Sequence, residues 1–429
     1  MTDTKALSEF SQSLAGFHRR NARLVILDAV LFGFGFAILT PFTILPGFVR
    51  HFTANPLIIN AVFAVFSAGL FGPQLISCWL YEGRASRQGP FLRWGIFSRL
   101  FLVPLVGVAL IAPRWPRAAL PAFFVFYAVS TFGWGMSTLL WQELLGRWLD
   151  DDRRGMVIGV RFFAEQAATL VGGIGVVIIM NRFLFPLNYG IAFAIGAAAW
   201  GSCYLVLMFQ REAIYPVVPA RVPLREFVSQ LIAVLKADTS FRYYVAFIIL
   251  ASASTMSFPL YTTGSMDAYF ADASAMVRDR YASICNVLFG GFFALGSVVD
   301  GWLSRRFGYR FGMIVTSVCW ILAPVNAAVA ANVYWFALTF VLNGIGHGFF
   351  LVSLINIILV FTSPDRRLRY IAITNTSRGV FGFLFPFAGG ALAAAWGITT
   401  TFVATAAFMC IALVVLVLGV KRTADGRRL

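Results

Sequence analysis

Within stretches that are otherwise apolar, this 429-residue chain places a few groups able to do chemistry. Arg161 and Glu165 are four residues apart, so on a helix they share a face and can form an ion pair. Arg378 has no acidic residue three or four positions away on either side, so its counter-charge must come from another segment or from a bound anion. His347 stands between Gly346 and Gly348, which leave space around its ring, and Asp28 and Arg99 are further charges in apolar runs. A carboxylate so placed can take up and release a proton, and a guanidinium can hold an anionic group. Covalent catalysis needs more. No paired carboxylates, Ser/His set or phosphate-binding loop occurs at suitable depth and spacing, and His18, His51 and His347 are too far apart in the chain for a histidine-rich metal site. The expectation is therefore no catalytic residue, no metal and no cofactor.

The elements that carry these groups follow from composition. The chain is 59% hydrophobic and 12% charged, against about 25% charged residues in a typical soluble domain. Membrane spans of roughly 20 apolar residues each are expected near 24–49, 56–81, 93–112, 119–145, 156–180 and 188–208, and again near 241–263, 281–304, 308–330, 333–360, 368–394 and 398–420. The run from Leu24 to Val49 is too long for a signal-peptide core and is read as the first of twelve helices. The fold class is all-α integral membrane, divided into an N-terminal bundle (1–209), a linker (210–240) and a C-terminal bundle (241–429). In the linker, Leu224, Phe227, Val228, Leu231, Ile232 and Leu235 recur at helical spacing opposite Arg225, Glu226, Gln230 and Lys236, which predicts an amphipathic helix along the membrane surface. The five cysteines lie in apolar stretches and read as small packing residues.

The net charge of +16 is not spread evenly. Connectors on the side of the two termini hold 24 Lys and Arg, whereas the opposite side holds six, Arg50, Arg114, Arg117, Arg182, Arg278 and Arg280. Basic loops stay in the cytoplasm, so both termini are expected there, in an inner membrane. No basic run sits in a soluble domain large enough to bind nucleic acid. The partners expected are membrane lipid, a small-molecule solute and a coupling proton, for a monomer.

The chain also repeats itself. An offset of 213 residues brings Gly133 and Gly135 onto Gly346 and Gly348, and Asp152, Arg153 and Arg154 onto Asp365, Arg366 and Arg367. Helices 4 and 5 thus correspond to helices 10 and 11. Glu165 lies ten residues into helix 5, about 15 Å deep and close to the midplane of a core about 30 Å thick, and the same offset maps it onto Arg378. Duplicated halves with a midplane site between them are a transporter architecture.

On these features the chain resembles the major facilitator superfamily over essentially its whole length. That family carries a Gly-x-x-x-Asp-Arg-x-Gly-Arg-Arg signature after helices 2 and 8. Gly301, Arg306, Gly308 and Arg310 fit the second copy, with Arg305 at the acidic position and Tyr309 at an arginine position. The first copy, around Glu82, Gly83, Arg84 and Arg87, is barely recognisable, while Arg154, Gly155, Gly159 and Arg161 after helix 4 are similar to family members. The resemblance implies that helices 1, 4, 7 and 10 line a central cavity and helices 2, 5, 8 and 11 wall it. Asn343, His347 and Asn356, Trp134 and Trp141, and Glu165 with Arg161 and Arg378 are then the solute candidates, with Asp28 a further coupling candidate. Asp300, Gly301, Arg305, Arg306, Gly308, Arg310, Glu143, Arg153, Arg154, Arg366 and Arg367 are the candidates for the inner gate, with Asp300 standing in for the acid missing at 305.

Each candidate has a plain structural alternative. The Arg161–Glu165 pair can be a buried staple, His347 can bond a neighbouring helix, Asp28 and Arg99 can be packing ions, and Pro41, Pro46 and Pro386 bend static helices as well as moving ones. The reading at this stage is a secondary transporter that rocks its halves about a central site, with Glu165 or Asp28 titrating and Arg378 holding an anionic or zwitterionic solute. The competing reading is a non-transporting assembly or sensing protein on the same scaffold.

Overall fold

A computed structural model describes the backbone of residues 2–81, 84–214, 223–361 and 367–420. Side chains are described for these residues except 2–11, 151–155, 227, 305, 355, 359–361, 367–369 and 372. Twelve helices are long and apolar enough to cross a membrane. Helices 1 to 6 are Gln12–Ile38, Pro56–Tyr81, Gln88–Ile111, Pro116–Trp148, Met156–Arg182 and Leu187–Leu207. Helices 7 to 12 are Thr239–Tyr269, Ala275–Ser304, Tyr309–Val329, Val333–Ile358, Ile373–Trp396 and Ile398–Gly419.

The packing reproduces the repeat. Helix 1 packs on 5 and 6 as helix 7 packs on 11 and 12; helix 4 packs on 2 and 3 as helix 10 packs on 8 and 9; helix 3 meets 6 as helix 9 meets 12. The two six-helix bundles join along two equivalent seams, helix 2 against helix 11 and helix 5 against helix 8. An even number of crossings leaves the start of helix 1 and the end of helix 12 at one end of the bundle, here the terminal face; the opposite end is the far face.

Several helices are broken, and proline explains where. Helix 1 runs unbroken from Thr2 to Ile38, stops, and resumes as Ile44–Arg50, whereas the hydrophobic run alone predicts one helix over 24–49. Pro41 has no N–H to give to the preceding turn, and Pro46 opens the resumed segment. Helix 7 passes through a 3-10 stretch, Ser252–Met256, before resuming as Phe258–Tyr269 with Pro259 near its start. Residues 39–43 and 252–256 are 213 positions apart, as are Pro46 and Pro259, so the repeat extends to helices 1 and 7. Pro386, by contrast, sits inside a continuous helix, Arg367–Trp396, and its carbonyl accepts from the Asn60 amide across the seam.

The linker helix forms over Leu224–Ala237 and rests on the terminal ends of helices 7 and 11. Leu231, Val234 and Leu235 pack against the core while Leu224, Val228 and Ile232 stay exposed. Among the cysteines, Cys78, Cys203, Cys285 and Cys319 are buried, and Cys410 is exposed on the outside of helix 12.

Candidate functional site

The charges expected at membrane depth fall into two groups. In the N-terminal bundle, Arg161 of helix 5 donates to Glu165 at 2.6 Å and approaches Asp28 of helix 1 at 3.8 Å. Its guanidinium lies 4.4 Å from the ring centre of Trp141 on helix 4, so one cation serves two carboxylates over an aromatic face. Arg99 of helix 3 occupies an adjacent aromatic box, 4.5 Å from Trp200, 5.2 Å from Tyr204 and 5.5 Å from Trp134. Helix spacing and one close crossing build the cluster: Gly33 lets helix 1 run against the Glu165 backbone and the Thr169 hydroxyl of helix 5, and Thr169 bonds the Gly33 carbonyl.

In the C-terminal bundle, Arg378 of helix 11 sits between one ring from each half, 4.3 Å from Phe71 of helix 2 and 5.1 Å from Phe350 of helix 10. Among the described residues no carboxylate pairs with it. Phe350 leads to Trp320, and Trp320 to His347, through ring contacts of 4.9 Å each. His347 is boxed by Phe42, Phe258, Phe289 and Trp320, and its Nδ1 bonds the Asn343 carbonyl of its own helix at 3.0 Å, not a neighbouring helix. Asn356 likewise bonds its own helix, at Val352. The buried Asn343 amide oxygen has no hydrogen-bond partner among the described residues. Glu165 and Arg378 thus stand at equivalent places in separate clusters, on opposite seams.

At the terminal face, the gate candidates bond within their own bundles. Asp300 accepts from Ser304 at 2.5 Å and from Ser353 at 2.8 Å, tying helix 8 to helix 10. Glu143 contacts Arg87 and bonds Arg147 at 2.9 Å. Arg310 donates to the Val417 carbonyl of helix 12 at 2.6 Å, Arg306 lies over Phe307, and Gly308, at φ +86°, turns the chain between helices 8 and 9. Space around Gly301 is open. The side chains of Arg305, Arg153, Arg154 and Arg367, and all of Arg366, lie outside the described residues.

Sequence reasoning missed two constellations. The first centres on Glu212, just after helix 6: it accepts from Arg147, from the amides of Arg87 and Gln88, and from Ser86, all between 2.7 and 3.1 Å, and so fastens the loop before helix 3. The second joins the two bundles at the far face. Arg50 pairs with Asp267 at 2.5 Å, His51 bonds Asp279 at 2.9 Å, the Arg280 guanidinium donates to the Asn181 carbonyl, and Asn286 bridges Thr43 and the Ala37 carbonyl. Counting basic residues alone passed over Asp267, Asp272 and Asp279, three acids in one far-face stretch opposite Arg50 and His51.

The chain thus folds as two pseudo-symmetric six-helix bundles meeting at two seams. Residues 273–428 match the family described as Major Facilitator Superfamily. No curated protein sequence matches the chain. Among solved structures it is similar to the nucleoside transporter NupG, with 16% identity and a TM-score of 0.70 over 94% of this chain and 100% of that one. A D-xylose-proton symporter gives 15% and 0.69 over 95% and 99%, and a POT family transporter in complex with 5-aminolevulinic acid gives 12% and 0.70 over 93% and 96%. The family match covers residues 273–428, and over its full length the chain shares the fold of these solved structures.

Proposed function

We propose that the protein is a secondary active transporter that moves a small anionic or zwitterionic solute by alternating access, coupled to a proton. The observation that carries this is Arg378: a guanidinium at mid-depth, set between a ring from each bundle, with no carboxylate paired to it among the described residues. An ionisable group there is costly and marks a solute or ion pathway. An incoming carboxylate or phosphate would supply the missing counter-charge, and the unsatisfied Asn343 oxygen would accept from an amine or hydroxyl of the same solute. Proton coupling is assigned to Glu165 and Asp28, which share Arg161: a proton on one leaves Arg161 to the other. In this reading residues 1–209 and 241–429 move as units about the 210–240 linker, the terminal face is cytoplasmic in an inner membrane, and the protein works as a monomer in lipid.

The test begins with thermal-shift screening of metabolites on the purified protein, followed by counterflow of the stabilising solute in proteoliposomes. Arg378→Ala is expected to lower solute affinity at least tenfold, because a charged bond is lost, and Glu165→Gln to uncouple flux from an imposed pH gradient. Wild-type counterflow by Arg378→Ala would remove the anionic-solute assignment. Flux indifferent to the gradient in the wild type would remove the proton.

A further inference from the structure

Among the described residues, the buried acids at the terminal face, Asp238, Asp300 and Glu212, bond within their own bundles, but one buried acid at the far face does the opposite. Asp279, in the first turns of helix 8, is 1% exposed. Its carboxylate accepts from His51 Nε2 at 2.9 Å, the Asn188 amide at 2.9 Å and the Tyr189 hydroxyl at 3.1 Å. All three donors belong to the N-terminal bundle; the acceptor belongs to the C-terminal one.

The surroundings hold the donors in place. The His51 ring stacks on Phe185 at 4.0 Å with its plane 8° away, and Tyr189 packs edge-on to the same imidazole. Gly47 leaves just the clearance its neighbours need, since a methyl there would press on the Tyr189 hydroxyl and approach Ala282. A buried carboxylate that has lost its water depends on its bonded donors, so the three bonds form or break together when the bundles part at this end.

We infer that Asp279 is the keystone of a far-face latch, and that its bonds to His51, Asn188 and Tyr189 set the balance between the far-closed state seen here and a far-open state. This rests on the alternating-access reading above. The latch differs in degree of burial from the Arg50–Asp267 pair beside it, whose side chains are 21% and 36% exposed: water already screens that pair, while the Asp279 side chain is 1% exposed and that of His51 14%.

The experiment uses the full chain in nanodiscs, with the exposed Cys410 replaced by Ser and spin labels in two separate pairs. One pair, Ala54→Cys with Asp272→Cys, spans the far face; the other, Ala85→Cys with Phe307→Cys, spans the terminal face. Asp279→Ala is expected to raise the open-to-closed ratio at the far face at least tenfold, the smallest effect consistent with losing three bonds to a charged group. His51→Ala and Tyr189→Phe each remove one donor, keep the carboxylate, and are expected to give smaller widenings; they carry the test should Asp279→Ala fail to fold. Far-face distances that stay at their wild-type values in these variants overturn the latch. Widening at the far face with matching narrowing at the terminal face upholds both the latch and alternating access. Widening at the far face with no narrowing at the terminal face upholds the latch and overturns alternating access.

Discussion

Gly135 and Gly348, 213 positions apart, press two pairs of helices together backbone to backbone at the same place in the two bundles. A methyl on Gly135 would overlap the carbonyls of Gly69 and Leu70 on helix 2, and one on Gly348 the Phe293 carbonyl and Ser297 amide on helix 8. Two residues earlier, Gly133 meets Phe97 and Ser98 of helix 3 while Gly346 meets Trp320 and Cys319 of helix 9. In lipid, where apolar surface gains nothing by leaving water, such close approach supplies much of the attraction between helices. Backbone atoms cannot swing aside, so Gly135→Ala and Gly348→Ala are each expected to cost about 1–3 kcal/mol. Gly301, with open space where a methyl would go, is the control: Gly301→Ala in the helix is expected to be neutral or to stabilise by up to about 1 kcal/mol. Thermal unfolding in one detergent compares the three. Equal melting temperatures for all of them would mean that the crossings are looser than described.

Arg161 is the shared cation of Asp28 and Glu165, and this makes its loss unlike theirs. Its side chain is 6% exposed, that of Asp28 6% and that of Glu165 13%. Arg161→Met strands two buried carboxylates and is expected to cost about 3–5 kcal/mol, the range for removing one member of a buried pair. Glu165→Gln leaves Arg161 with Asp28 and the Trp141 face, and is expected to cost clearly less. A double-mutant cycle over the two positions, read by denaturation in mild detergent, should give a coupling of at least about 1 kcal/mol. Simple additivity would show that Arg161 and Glu165 do not interact energetically, and would remove the shared-cation account of their stability.

Much of this arrangement is legible in the sequence, for physical reasons. The span length follows from the thickness of the hydrocarbon core, so twelve runs become twelve helices. The Arg161–Glu165 pair follows from helical spacing, and the correspondence of Glu165 with Arg378 from the repeat. Phe71 and Phe350 could not be foreseen as the neighbours of Arg378, because no periodicity links helices 2, 10 and 11. The same holds for Arg50 with Asp267 and His51 with Asp279, which lie 217 and 228 residues apart. The break in helix 1 was written in Pro41, yet hydropathy masks it, since Leu39 to Thr43 are as buried as the helices on either side. Glu212 stayed hidden because its partners include backbone amides, which every sequence possesses and only a fold can point at a carboxylate.

The Arg50–Asp267 pair bounds what an ion pair at the membrane edge can do. It is short, at 2.5 Å, and crosses the two bundles, so distance alone would rank it first among the far-face contacts. Exposure argues otherwise. Partly solvated pairs are worth about 0–1 kcal/mol after screening and side-chain ordering, and about 1 kcal/mol is a factor of roughly five in an equilibrium. Arg50→Ala is therefore expected to change the far-face open-to-closed ratio by less than about fivefold, and 1 M salt to remove most of that change, because the screening length falls to about 3 Å. The buried bonds to Asp279 should be insensitive to the same salt. The far-face spin-label pair, measured at low and high ionic strength, separates the two: an Arg50→Ala effect that equals or exceeds that of Asp279→Ala and persists in salt would make the exposed pair the dominant closure.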